Sequence, residues 1–231
     1  MTGGALGRGR LLAYGILGLP LAALGLPLYV YLPAFYAEGM GLAAAVVGVA
    51  LLGARLFDVL TDPLAGWLSD RWPSAAWRRR GPILLGAPLL LLGVEQLFRP
   101  GPGAGGAHLL GWALVAYLGW TLVAIPYLAW GAELSDRRHE RTRIAAAREG
   151  FVILGTLAAI AVPAVAGVAA DPGGTLAVMA DWLWWVLPAA VLVTVALVPT
   201  GPVADTRRPP SRAGLRLIAQ NRPLRRLLLA Y

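Results

Sequence analysis

The 231-residue sequence contains no cysteine and no lysine. Without cysteine there is no disulfide framework and no thiolate metal site. Charge is also scarce: 14% of residues carry it, against about 25% in a typical soluble domain. No nucleotide-binding glycine loop, HExxH pair or nucleophile triad is found, so no enzymatic chemistry is expected and no cofactor is called for. ATP-driven transport would need a nucleotide-binding domain that these residues do not form. Charge is missing altogether from residues 11–37, 100–132, 150–170 and 182–204. Each of these runs is long enough to cross a hydrocarbon layer of roughly 30 Å as a helix.

What is present fits a membrane. The chain is 58% hydrophobic, with 29 glycines, 18 prolines and nine tryptophans. Gly and Pro are common in transmembrane helices, and Trp favours the headgroup level. Six spans are predicted, at about 11–36, 42–68, 82–98, 107–131, 146–170 and 179–199. The expected fold class is therefore all-α: a polytopic membrane protein with residues 1–199 as a six-helix bundle. Residues 200–223 read as a polar, basic central linker with a short amphipathic helix near 211–220, and 224–231 as the start of a seventh span. The first apolar stretch is too long for a cleavable signal peptide. Pro20, Pro27 and Pro33 predict a bent first helix. Trp182, Trp184 and Trp185 read as interface anchors.

Arginine placement sets the expected topology. Of the 20 arginines, 18 lie before span one, between spans two and three, between four and five, or after six. That alternation places both ends in the cytoplasm by the positive-inside rule. A nucleic-acid surface would be one contiguous basic patch; these clusters are separated by membrane-length segments, so lipid headgroups are the expected partners.

One apolar span keeps formal charge. Arg55, Asp58 and Asp62 are spaced three and four apart, which puts them on one helical face. Charges inside a bilayer cost several kcal/mol each by insertion-type estimates, so they must face protein or water. Two readings are open. In one, Arg55 and Asp58 are a structural ion pair. In the other, two acids against one base leave a charge for a coupling cation, a proton or a sodium ion, to settle. Sodium at Asp58 and Asp62 is the one metal considered. Arg148, near the inner end of span five, either snorkels to the interface or reaches Asp58 or Asp62 as a charge partner. Tyr117, Trp120 and Tyr127 either line a solute cavity or pack against neighbours. Asp70, Arg71, Arg78, Arg79 and Arg80 read as a charged latch at the cytoplasmic mouth, and Glu133, Asp136 and Arg137 form a similar cluster after span four.

The segments "RLFDVLTDPLAGWLSDR", "RRRGP", "IPYLAWGAEL" and "ERTRIAAAREGF" resemble the glycoside–pentoside–hexuronide cation symporters, melibiose-carrier-like members of the major facilitator superfamily. The resemblance covers the whole chain as six helices and a central linker. It implies a twelve-helix carrier, so that a second six-helix half is the expected partner and a small solute binds between the halves. It also implies that Asp58 and Asp62 hold the coupling cation, H+ or Na+, and that Arg148 is the family's helix-five arginine. Two features depart from the melibiose type. The first helix has no acid, and the positions of a helix-four aspartate and tryptophan are Ala124 and Leu128. Galactosides are thereby disfavoured, and protons are favoured over sodium. The expected function is cation-coupled symport of a sugar, glycoside or related solute by alternating access. The alternative is a carrier or exporter of a non-sugar amphipathic solute.

Overall fold

The computed structural model describes residues 6–200. Six helices are long and apolar enough to span a membrane: α1 (Arg8–Gly39), α2 (Ala44–Asp70), α3 (Arg80–Phe98), α4 (Gly106–Glu133), α5 (Arg138–Val165) and α6 (Pro172–Leu197). Among the described residues there is no strand. The fold is thus the all-α, six-helix bundle expected from the uncharged runs. Apart from Thr200, the expected linker at 200–223, its amphipathic helix and the seventh span at 224–231 lie outside the described residues.

Two helix starts differ from the expected bounds. The fifth span was expected near 146, yet α5 begins at Arg138, because its first two turns are polar and a hydropathy reading sees only the apolar part. The sixth was expected near 179 and begins at Pro172. The stretch Asp171–Gly174 is a helix cap: the Asp171 carboxylate accepts hydrogen bonds from the backbone N–H of Gly173 (3.0 Å) and Gly174 (2.9 Å). Asp at the cap with Pro at the first helical position is a start signal.

The three prolines of α1 leave their marks. Helix geometry is interrupted after Gly15 and after Ala23, and π-helical turns follow at Pro27–Tyr31 and Phe35–Gly39. Pro20 has no N–H for the carbonyl of Ile16, which accepts from Leu19 at 3.1 Å instead.

Helices α3 and α4 form the closest pair, α2 packs on α4, α1 on α5, and α3 on α6. Glycine makes the α3–α4 contact possible. A Cβ on Gly93 would sit 2.6 Å from the backbone nitrogen of Ala116, and one on Gly119 would run into the backbone of Leu90. Without a hydrophobic drive between helices in lipid, such close backbone approach supplies the dispersion that holds them. Gly119→Val is expected to force α3 and α4 apart and lower the melting temperature by several degrees, from an overpacking cost of about 1–3 kcal/mol. Gly111→Val, where no atom lies within 4 Å of the new Cβ, is the control.

At the end of the bundle where α3 finishes, Arg99 pairs with Asp181 (2.6 Å) and Glu95 (3.2 Å), while the Trp184 indole N–H donates to Glu95 at 2.8 Å. These contacts tie α3 to α6. Burial is uneven among the helices. The apolar window of α1 is 67% buried, but those of α2 and α5 are only 22% and 17% buried.

Candidate cation and solute site

The three charges of α2 share a face, as their spacing predicts, and that face meets α4. There Thr121, itself fully buried, places its hydroxyl oxygen 2.7 Å from Asp58 Oδ1 and 2.9 Å from Asp62 Oδ1. One threonine thus bridges both carboxylates. Asp58 also lies 3.8 Å from an Arg55 guanidinium nitrogen. The neighbouring Thr61 hydroxyl donates back to the Asp58 carbonyl at 3.2 Å. A hydroxyl has one hydrogen to give, so Thr121 donates to one of the two carboxylates at a time. Thr121 is the residue the sequence reading missed. Its signal was available, since it follows Tyr117 by four positions on α4 and so shares its face.

Arg55 is clasped by aromatic rings. Its guanidinium lies 4.4 Å from the ring centroid of Tyr29, in the first π-helical turn of α1, and 5.2 Å from that of Tyr117. Tyr117 therefore sits at the site, buried beneath Arg55. Trp120, one residue before Thr121, is half-buried and packs against the hydrophobic core.

For Tyr127 and Arg148, each left with two readings by the sequence, the structure gives local partners. Tyr127 is only 2% exposed. Its hydroxyl donates to the Tyr14 carbonyl at 3.0 Å, the Tyr14 hydroxyl donates back to the Tyr127 carbonyl at 3.3 Å, and the rings lie 4.7 Å apart. This reciprocal pair joins α4 to α1 where α1 is first interrupted, giving Tyr127 a helix-fastening position. Arg148 forms no pair with Asp58 or Asp62; among the described residues its ion-pair partner is the adjacent Glu149. The reason is topological: α5 packs on α1, whereas the acids project from α2 toward α4.

The charged latch is only partly as expected. Arg79 donates to Ser69 Oγ at 2.7 Å, pairs with Asp70 at 2.9 Å, and bonds the Glu133 carboxylate through both Nε (3.2 Å) and a terminal nitrogen. Arg78 meets the same Glu133 at 2.9 Å. Glu133, assigned from sequence to a different cluster, is the hub. It joins the end of α4 to the end of α2 and the segment before α3. Burial works against the charge of Arg79, but the hydrogen bond and charge of Glu133 and the charge of Asp70 outweigh it and raise its pKa above the usual arginine value. Arg80 donates to the Val198 carbonyl at 3.0 Å and lies over Trp130. Arg71 stacks on Trp67 at 4.3 Å. Asp136 pairs with Arg141 at 3.5 Å, apart from the hub.

Comparison with known proteins places this geometry in context. Residues 13–231 match the model of a family described as MFS/sugar transport protein. An uncharacterised symporter from Synechocystis is 33% identical over 63% of this chain and 28% of its own length. An uncharacterised symporter from Bacillus subtilis is 32% identical over 70% of this chain and 35% of its own. An isoprimeverose transporter from Lactiplantibacillus pentosus is 28% identical over 71% of this chain and 35% of its own. The chain spans about a third of the length of the curated relatives it matches.

Proposed function

The chain belongs to the MFS/sugar transport protein family, and from that premise we propose that it forms the first six-helix half of a cation-coupled symporter for a sugar, glycoside or related solute. The observation that carries the coupling is the bridge from Thr121 to Asp58 and Asp62. The shared hydroxyl holds the two carboxylates close, so a cation entering there meets both at once. A proton binding there leaves the pair singly charged. A second proton, or a sodium ion among the same oxygens, neutralises it. We favour the proton, because a carboxyl needs no further ligands to accept one.

The weakly buried apolar faces of α2 and α5 support a second six-helix half as the partner, with the solute bound between the halves. The cluster around Glu133 then latches one mouth of the carrier, and alternating access consists of the halves rocking about the bound solute. The arginine distribution supports a cytoplasmic N-terminus, and the bacterial relatives support an inner-membrane location. Carriage of this kind needs no covalent chemistry.

The test is uptake of isoprimeverose and a panel of other sugars into proteoliposomes holding the full-length protein, with proton and sodium gradients imposed separately. A proton gradient is expected to drive uptake. Thr121→Ser, which keeps the bridging hydroxyl, is expected to retain it. Thr121→Val removes the hydroxyl at nearly constant shape and is expected to reduce driven uptake roughly 10-fold or more, the cost of a lost hydrogen bond to a charged group. Equal activity in the Ser and Val variants would refute the bridge as the coupling element. Sugar-independent silence in folded protein would point to the non-sugar amphipathic solute instead.

A further inference from the structure

We propose that Tyr29 and Tyr117 are positioning residues that hold Arg55 off Asp58 and so keep the protein's own arginine out of the cation site. The assignment rests on the reading of Asp58 and Asp62 as that site. Arg55 stands three residues before Asp58 on α2 (Ala44–Asp70), about one helical turn away. A guanidinium and a carboxylate at that spacing can close to a hydrogen-bonded pair of about 2.7–2.9 Å. Here they do not close: the Arg55 nitrogen stops 3.8 Å from Asp58 Oδ2. Thr121 takes the other carboxylate oxygen, Oδ1, at 2.7 Å. Among the described residues, Oδ2 accepts no hydrogen bond.

The restraint on the arginine is aromatic. Its guanidinium lies 4.4 Å from the ring centroid of Tyr29 and 5.2 Å from that of Tyr117. A planar, weakly hydrated guanidinium stacks well on such faces. Two such contacts away from water compete with a single ion pair whose hydrogen bond is unmade. The two rings come from different helices. Tyr117 is a buried residue of α4, whereas Tyr29 is half exposed. Tyr29 stands in the π-helical turn Pro27–Tyr31 of α1, a distortion frequent at functional sites. One side of the clasp is therefore set by α4 and the other by the interrupted first helix.

Charge makes the gap matter. Asp58 faces Arg55 and Asp62 on its own helix and Thr121 and Tyr117 on α4, while Tyr29 of α1 acts on it through Arg55. Arg55 is the one cation in this group. At 3.8 Å its charge steadies the acids without occupying an oxygen. At hydrogen-bond distance it would satisfy Oδ2 and compete there with an incoming proton or sodium ion. A shift of α1 against α2 that carried Tyr29 away would let the arginine close on Asp58 and expel the cation. The position of α1 is thereby tied to cation release.

The experiment uses the full-length protein and needs no solute. Dicyclohexylcarbodiimide reacts with a carboxyl group in its protonated form. The labelling rate of the Asp58 peptide is read by mass spectrometry at one pH at which the native protein is labelled. Tyr29→Leu is expected to slow that rate about 10-fold, the effect of one charge-assisted hydrogen bond gained by the ionised acid. Tyr117→Leu removes the other ring and is expected to act in the same direction. Tyr29→Phe keeps the ring face and is expected to keep most of the native rate. The decisive variant combines Tyr29→Leu with Arg55→Gln. With the arginine gone the rate is expected to return to the native level or above, whereas a merely structural role for Tyr29 leaves it slow. Melting temperatures establish that each variant folds. Equal rates in the native protein and both leucine variants, or a slowed rate that Arg55→Gln does not restore, overturn the proposal. Isoprimeverose uptake under imposed proton and sodium gradients is measured in parallel, and the cation concentration for half-maximal uptake is expected to rise about 10-fold in Tyr29→Leu. Native protein that takes up no sugar under either gradient counts against the transporter reading, and the labelling rates still decide the clasp on their own.

Discussion

Replacing Asp62 by asparagine in the full-length protein is expected to collapse solute accumulation to its equilibrium level. Asp62 and Asp58 both touch the Thr121 hydroxyl, and a carboxyl can gain or lose a proton there while an amide cannot. Moving one elementary charge through 100 mV is worth about 2.3 kcal/mol, enough for roughly 50-fold accumulation of a solute carried with one cation. With Asn at position 62 the paired site is lost and only Asp58 remains, so the internal-to-external ratio should approach one. Exchange of labelled for unlabelled solute, which needs no net cation movement, should persist. The two measurements separate loss of coupling from loss of folding. Asp58→Asn should abolish accumulation as well, and it should further free Arg55 from its ion-pair contact at 3.8 Å. Undiminished accumulation in both variants would remove the helix-two acids from the coupling mechanism.

The asymmetry between what was legible in the sequence and what was not follows from the range of each signal. Spans are local: hydropathy over about twenty residues identifies them without knowledge of any neighbour. The common face of Arg55, Asp58 and Asp62 is equally local, because helical period alone fixes it. Contacts across helices are not local. Thr121 stands 59 residues from Asp62, and a lone hydroxyl in an apolar helix gives no sign of which carboxylate it meets. Glu133 was grouped with Asp136 and Arg137 because they are close in sequence, yet its partners Arg78 and Arg79 stand more than fifty residues away. Tyr127 has the spacing of a cavity aromatic but lies where α1 is interrupted, and Tyr14 takes its hydroxyl. Arg148 matches a family position, which says nothing about the helix its own helix packs against. In each case residue chemistry was readable and the partner was decided by tertiary packing.

The hub at Glu133 carries the largest expected effect on stability. Glu133→Ala leaves two arginines, Arg78 and Arg79, facing each other with Asp70 as the remaining acid of the cluster, and Arg79 is a residue only 8% exposed. Breaking a fully buried ion pair costs about 3–5 kcal/mol. The Glu133 side chain is 25% exposed, so water recovers part of that, and about 2–3 kcal/mol is expected. For a chain of this size the loss corresponds to a melting temperature lower by about 5–10 °C. Glu133→Gln keeps one acceptor and should fall between native and Ala. Asp136→Ala is the control: its side chain is 97% exposed and its pair with Arg141 spans 3.5 Å, so less than 1 kcal/mol is expected. The same substitution bears on the latch. The cluster ties the ends of α2 and α4 to the segment that leads into α3, so its loss should loosen one mouth of the bundle before the middle unfolds. A cysteine placed at Ser69, which is fully buried beside Arg79 in a protein with no cysteine of its own, would report this as faster alkylation in Glu133→Ala at temperatures well below melting. Equal alkylation rates together with a lowered melting temperature would make the cluster a fastening of the fold with no part in opening and closing.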